Sequence, residues 1–182
     1  MPFIFKKTPI KDLIVIEPRV FKDERGFFME TYKYSEFNEA GITESFFQDN
    51  HSFSLKGVLR GLHFQSEPHS QGKLVRVVKG AVWDVGVDLR PASATYKQWY
   101  GLELNEENNK MFYIPPGFAH GFLTYRDNTH FLYKCTTEYA PESDGGIRWN
   151  DPDIAVDWPL ESGVIPDVSE KDAILPYLKD LK

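Results

Sequence analysis

Between Val58 and Thr136 the chain is a run of short β-prone segments broken by Gly, Pro, Asn and Asp. The segments are Val58–Gln65, Leu74–Lys79, Ala81–Leu89, Trp99–Leu104, Lys110–Ile114, Gly121–Tyr125 and Thr129–Thr136. Many short strands at this spacing give a sandwich or a jelly-roll barrel. The expected fold class is therefore all-β, a jelly-roll β-barrel with a few short peripheral helices.

The flanks add little that competes with it. Ile10 to Val20 reads as a strand interrupted at Pro18. Asp23-Glu24-Arg25-Gly26 reads as a turn, and Phe27 to Tyr32 as the returning strand. Ser35 to Ala40, ending at Gly41, carries the cap signals of a short helix. Ser169-Glu170-Lys171-Asp172-Ala173-Ile174-Leu175 starts a helix that Pro176 interrupts. No linker, repeat or low-complexity tract divides the 182 residues, so one domain over residues 1–182 is expected.

Several strands carry charge where a core would want none. Val58-Leu59-Arg60-Gly61-Leu62-His63-Phe64-Gln65 holds an Arg and a His, and Lys73-Leu74-Val75-Arg76-Val77 opens on a Lys. Charged groups among apolar neighbours are paired or used. Alternation assigns their faces. Lys73 shares a face with Val75 and Val77, and Tyr133 shares one with Phe131 and Cys135. Arg60 and His63 differ in parity, so a common site for both requires a bulge at Gly61.

Two kinds of chemistry fit such an interior. Pro115-Pro116-Gly117-Phe118-Ala119-His120 matches half of the signature of a metal-binding cupin. The other half needs two His one residue apart, and here His63 is followed by Phe64 and Gln65. Two His are too few for a divalent transition metal, which takes three or four ligands. The expectation is no metal and no cofactor. The alternative is a metal-free acid–base site. His63 is the natural base, Tyr133 a candidate acid, and Lys73 a stabiliser of an oxyanion.

Each of these residues also has a plain structural account. An inward His or Tyr is commonly a hydrogen-bonded core residue. Ser169-x-x-Asp172 fits a capping box. Arg25 fits a solvated turn, Asp144-Gly145-Gly146 a turn, and Gln48-Asp49-Asn50 a loop with Asx hydrogen bonds.

Composition excludes some partners. With 21 basic and 27 acidic residues the formal charge is −6, which argues against nucleic acid. A single cysteine, Cys135, permits no internal disulfide and suits a reducing, cytoplasmic setting. No segment approaches membrane-spanning length.

Taken together, the motifs resemble the dTDP-4-dehydrorhamnose 3,5-epimerase family over nearly the whole chain. They are Asp23-Glu24-Arg25-Gly26-Phe27-Phe28, Gln48-Asp49-Asn50-His51-Ser52, Val58 to Gln65, Gln71 to Arg76, Pro116 to Phe122, Phe131 to Lys134, Trp149-Asn150-Asp151-Pro152 and Ser169 to Asp172. The resemblance implies a homodimeric, metal-free cupin jelly roll. It would invert C3 and C5 of dTDP-4-dehydro-6-deoxy-D-glucose, giving dTDP-4-dehydro-L-rhamnose. It implies His63 as proton acceptor, Tyr133 as proton donor, Asp172 as the partner of the base, and Lys73 at the keto oxygen. Arg25 and Arg60 match nucleotide-sugar contacts, and Glu30, Gln48, Asp49, Asn50, His120 and Lys171 other ligand contacts. Asp144 stands where the family often has Glu. Ser66-Glu67-Pro68-His69 resembles an insertion beside the site. Three other readings share part of the pattern: an epimerase of C3 or C5 alone, a metal-dependent cupin oxygenase, and a non-catalytic nucleotide-sugar binding module.

Overall fold

The computed structural model describes residues 2–181. Thirteen strands are assigned among them: β1 (Phe3–Lys7), β2 (Ile14–Pro18), β3 (Phe21–Asp23), β4 (Gly26–Phe28), β5 (Gln48–Ser54), β6 (Leu59–Gln65), β7 (Lys73–Lys79), β8 (Ala81–Asp88), β9 (Trp99–Asn105), β10 (Met111–Ile114), β11 (Phe118–Thr124), β12 (Thr129–Cys135) and β13 (Asp144–Gly146). One sheet has the order β1-β2-β10-β7-β12-β5 and a second β13-β6-β11-β8-β9. The fold is all-β and of jelly-roll type, as the strand spacing indicated, and cupin-like, as the resemblance implied. The expected barrel is not closed: the two sheets face each other as an open sandwich, because their edge strands β1, β5, β13 and β9 do not pair across.

Alternation sorts the side chains into layers. Val75, Val77, Phe112, Ile114 and Phe131 of the first sheet meet Val82, Leu102, Leu104, Phe118 and Phe122 of the second. Each such fully buried side chain contributes about 1.5–3 kcal/mol. Phe122 and Phe131 stack across this layer with ring centroids 4.3 Å apart. Outside the second sheet Leu59, Leu62, Val85, Val87 and Leu123 pack on Ile147, Ile154 and Trp158 from the C-terminal third. Outside the first, Phe3, Ile16, Met111 and Tyr113 pack on Phe37 of a short helix, α1 (Tyr34–Glu39).

Several boundaries differ from the sequence expectation. Within Ile10–Val20 only Ile14–Pro18 is extended, because Asp12 takes a positive φ and turns the chain. The strand expected over Phe27–Tyr32 stops at Phe28, and β3 and β4 form a separate two-stranded ribbon. Helix α1 starts at Tyr34 with Lys33 at its N-cap, whose side chain caps nothing, so Ser35 lies inside the helix and is not its cap. Its end does use Gly41, at φ +92, with the Ile42 N–H donating to the Phe37 carbonyl at 2.9 Å. β1, β3, β5 and β13 were not anticipated as strands; β5 and β13 fall on residues expected in a loop and a turn. The second helix, α2 (Glu170–Ala173), starts at Ser169 and ends before Pro176, as expected.

Candidate active site

The bulge at Gly61 is present, and it decides what β6 can offer. His63 pairs with His120 and Arg60 with Phe122, so Gly61 and Leu62 stand opposite Gly121 alone. The extra residue reverses the alternation. Leu59 and Leu62 pack outward, while Arg60 and His63 both point between the sheets. Gly61 sits at φ +128, and a Cβ there would lie 2.6 Å from Gly121 Cα. Only glycine fits that backbone approach.

Two adjoining cavities of about 300 and 370 Å³ open between the sheets. They share His63, Lys73, Tyr133 and Lys171. The first also holds Arg60, His120 and Asp172, and the second Gln48, Asn50 and Asp144.

His63 comes from β6 and its partner from far along the chain. Its Nε2 lies 2.7 Å from Asp172 Oδ1, and Asp172 Oδ2 accepts the Gly61 N–H at 3.2 Å. The Asp172 N–H in turn donates to Ser169 Oγ at 3.1 Å. The capping half of the Ser169-x-x-Asp172 pattern is therefore real, but the carboxylate is turned to His63 rather than back to the helix. Burial pushes the Asp172 carboxyl up, yet His63, the Gly61 N–H and Ser169 outweigh it and hold it below the usual range.

The other groups stand around this pair. Lys73, at the start of β7, is pushed down by burial, while Cys135, Asp144 and Asp84 pull it back up. Burial raises the Tyr133 phenol, and Arg60 offsets this only partly. The phenol thus keeps its proton through neutral pH. Arg60 donates to Ser54 Oγ at 3.1 Å and to the Phe53 carbonyl at 3.2 Å, and it lines the cavity of its own chain. His120 Nε2 lies 3.0 Å from each oxygen of Asp84. Lys171 forms an ion pair with Asp144, which also accepts the Tyr139 hydroxyl at 3.0 Å.

Three residues singled out from the sequence lie elsewhere. Asp49 alternates away from Gln48 and Asn50, and it binds Lys134 Nζ at 2.9 Å. Arg25 sits exposed at the tip of the β3–β4 ribbon, paired with Asp23 at 2.6 Å. Glu30, just beyond that ribbon, lines neither cavity. Gln65 is fully occupied: it donates to the His69 carbonyl at 2.8 Å and accepts the Ala140 N–H at 2.9 Å. It clamps the Ser66–His69 loop. Sequence reasoning missed Asp84 and Tyr139. Asp84 carried a signal, being a carboxylate inside Val82-Trp83-Asp84-Val85; Tyr139 carried none.

A histidine held by a carboxylate, a half-buried phenol and a half-buried ammonium around one interior space suit an enzyme that moves protons, an isomerase built on a cupin-like jelly roll. Comparison with known proteins gives the particular kind. The family model for dTDP-4-dehydrorhamnose 3,5-epimerase matches residues 7–180, and the chain belongs to that family. It is 55% identical over 170 residues to the dTDP-4-dehydrorhamnose 3,5-epimerase of Methanothermobacter thermautotrophicus, covering 93% of this chain and 91% of that one. The Escherichia coli enzyme of the same name is 52% identical over 176 residues, covering 96% and 94%. The crystal structure of dTDP-6-deoxy-D-glucose-3,5-epimerase from Legionella pneumophila in complex with dTDP-4-keto-L-rhamnose superposes with a TM-score of 0.94. It is 48% identical, covering 99% of this chain and 95% of that one.

Proposed function

We propose that the chain inverts C3 and C5 of dTDP-4-dehydro-6-deoxy-D-glucose, giving dTDP-4-dehydro-L-rhamnose. The observation that carries this is the placement of the His63–Asp172 pair and Tyr133 on different sheets around one cavity. Both carbons flank the C4 ketone, so loss of either proton gives an enolate with its charge on the C4 oxygen. His63 takes the proton through Nδ1, because Nε2 is bound to Asp172. Lys73 meets the charge where it develops. Tyr133 returns a proton on the other face, and inversion requires that second face. Arg60 suits the diphosphate through its guanidinium fork. Binding energy from the nucleotide then positions the sugar.

The test is NMR of the dTDP-ketosugar incubated with enzyme in heavy water. Deuterium at both C3 and C5 is expected. Label at one carbon alone would make the chain a single-centre epimerase, and no label would leave a binding module.

The reaction needs no metal on this reading. His63 and His120 would offer one free ring nitrogen each, short of the three or four ligands a divalent transition metal takes, and Gln65, where a further His would stand, is a loop clamp. Activity is expected to survive exhaustive chelation; loss restored by one divalent metal would overturn this.

We further propose that the chain acts as a single domain and a homodimer, in the cytoplasm. The β3–β4 ribbon supports the dimer. It joins neither sheet and exposes Phe21, Phe27 and Phe28, the last two at 61% and 66%. A lone two-stranded ribbon is marginal by itself, and an exposed aromatic cluster marks a contact. Arg25 and Glu30 lie on or beside this ribbon and outside their own chain's cavity. As ligand contacts they would serve a second copy. The compartment fits the one buried, unpaired Cys135. Among the described residues no helix is long and apolar enough to cross a membrane, and the acidic net charge gives nucleic acid no footing.

A further inference from the structure

Asp84 lies on β8 with its side chain between the sheets, beside the cavity but not in its wall. It is fully buried, and its only hydrogen-bond partner among the described residues is His120 Nε2. The two oxygens are equidistant from that nitrogen, at 3.0 Å each. A protonated carboxyl would bond an imidazole nitrogen through one oxygen. The symmetric fork is that of a carboxylate accepting a single N–H aimed between its oxygens. Nε2 therefore carries the hydrogen.

We propose that Asp84 is a positioning residue that fixes His120 as the neutral Nε2–H tautomer, so that His120 offers the sugar a hydrogen-bond acceptor and Lys73 remains the only cation at the ketone.

His120 Nδ1 makes no hydrogen bond to any described residue, and His120 lines the cavity. An unprotonated Nδ1 there accepts from a sugar hydroxyl. It cannot donate to the ketone oxygen, which leaves that oxygen to Lys73. The surroundings favour the neutral ring. Burial pushes His120 down; Asp84 opposes this, and the Lys73 and His63 charges add to it. The stack on Phe131, with ring centroids 6.1 Å apart, fixes the plane in which Nδ1 points.

This inference rests on the epimerase reading for its consequence, but its first test does not. Long-range ¹⁵N–¹H NMR of the free enzyme reports each imidazole's tautomer. His120 is expected as Nε2–H with Nδ1 bare throughout the neutral range. An imidazolium at neutral pH, or hydrogen on Nδ1, would overturn the proposal whether or not the enzyme epimerises anything.

The second test is Asp84→Asn, with kinetics against pH, dTDP affinity and melting temperature on the same preparation. The expected result is an Nδ1–H population for His120, a fall in kcat/KM of about tenfold or more, and dTDP affinity within twofold. The groups facing His120 are Asp84, His63 and Lys73, with Arg60, Tyr133 and Asp172 lining the same space. A pH profile changed in Asp84→Asn but not in a surface variant such as Lys97→Ala assigns the effect to this set. If Asp84→Asn keeps the tautomer and turnover and loses only melting temperature, Asp84 is a structural residue and the proposal fails. If that variant does not fold, the tautomer of the unmodified enzyme decides alone. An unmodified enzyme inactive on the ketosugar, with the predicted tautomer, would overturn the epimerase reading and leave the Asp84–His120 assignment standing.

Discussion

Asp172 reaches His63 at 2.7 Å across 109 residues of chain, and the four-residue helix α2 exists at the place that delivers it. Within its own helix the same residue is held by backbone atoms, its N–H donating to Ser169 Oγ and its carbonyl accepting at the helix end, while its side chain takes no part. Cap and chemistry therefore use different atoms of one residue and can be separated by mutation.

Asp172→Asn keeps the backbone cap and removes the charge. Turnover should fall by roughly 10²-fold or more, with dTDP affinity little changed because Arg60 remains. The folded carboxyl is held below the ordinary carboxylate range by His63, the Gly61 N–H and Ser169, which outweigh its burial. Its stabilising effect is therefore complete above about pH 4 and lost as pH falls through the folded value. Melting temperature measured from pH 7 down to 3 should fall less steeply in the variant than in the parent. Identical acid slopes with unchanged turnover would return Asp172 to a purely structural role.

Tyr133→Phe should uncouple exchange from inversion. His63 still removes and returns a proton on one face, so deuterium enters the substrate while epimer formation stops. Mass spectrometry for label and chromatography for product read the two events separately. A variant as active as the parent would make Tyr133 a packing residue.

Lys73→Met should reduce turnover by roughly 10²–10³-fold, the range for loss of one oxyanion donor. Burial pushes the ammonium below the ordinary lysine range. The charged form is thus lost earlier on the alkaline side than for a solvated lysine, and parent activity should decline there. Residual activity of Lys73→Met should lack that alkaline decline; if it retains the decline, another group causes it.

Gly61→Ala should be among the most damaging single substitutions in the sheet. The added Cβ would meet Gly121 Cα at 2.6 Å and the His120 carbonyl at 2.8 Å, both backbone, at a φ of +128. A non-glycine residue held in such a conformation costs about 1–3 kcal/mol before any clash is counted. Chemical denaturation should show that loss or more, with activity falling alongside. A variant of parental stability would mean that β6 can shift away from β11 without cost.

Strands that separate an apolar core from a half-polar face announced themselves, as Leu74–Lys79 and Ala81–Leu89 did. β5 did not, because Gln-Asp-Asn-His-Ser faces a polar cavity on one side and Lys134 on the other, and no apolar alternation remains. β13 was hidden for the opposite reason. A Cβ at Gly146 would meet the Leu62 carbonyl at 2.6 Å, so a strand squeezed against its neighbour has to be written in the letters of a turn. At the site, parity placed Lys73 and Tyr133 correctly and posed the Gly61 bulge as a condition. Asp172 was locally legible only as a cap, since its partner is a tertiary neighbour. Asp49 was named with Gln48 and Asn50 from the motif, although alternation alone separates it from them.

The aromatic ribbon of β3 and β4 carries a kinetic consequence on the dimer proposed above. If each reaction chamber is completed by Arg25 from another chain, the number of working chambers follows the square of chain concentration at high dilution. Specific activity then decays on dilution rather than staying constant. Defects also become exchangeable. A chain lacking Arg25 and a chain lacking His63, each inactive alone, would form mixed pairs in which one chamber has every part, and activity would reappear on mixing two dead preparations.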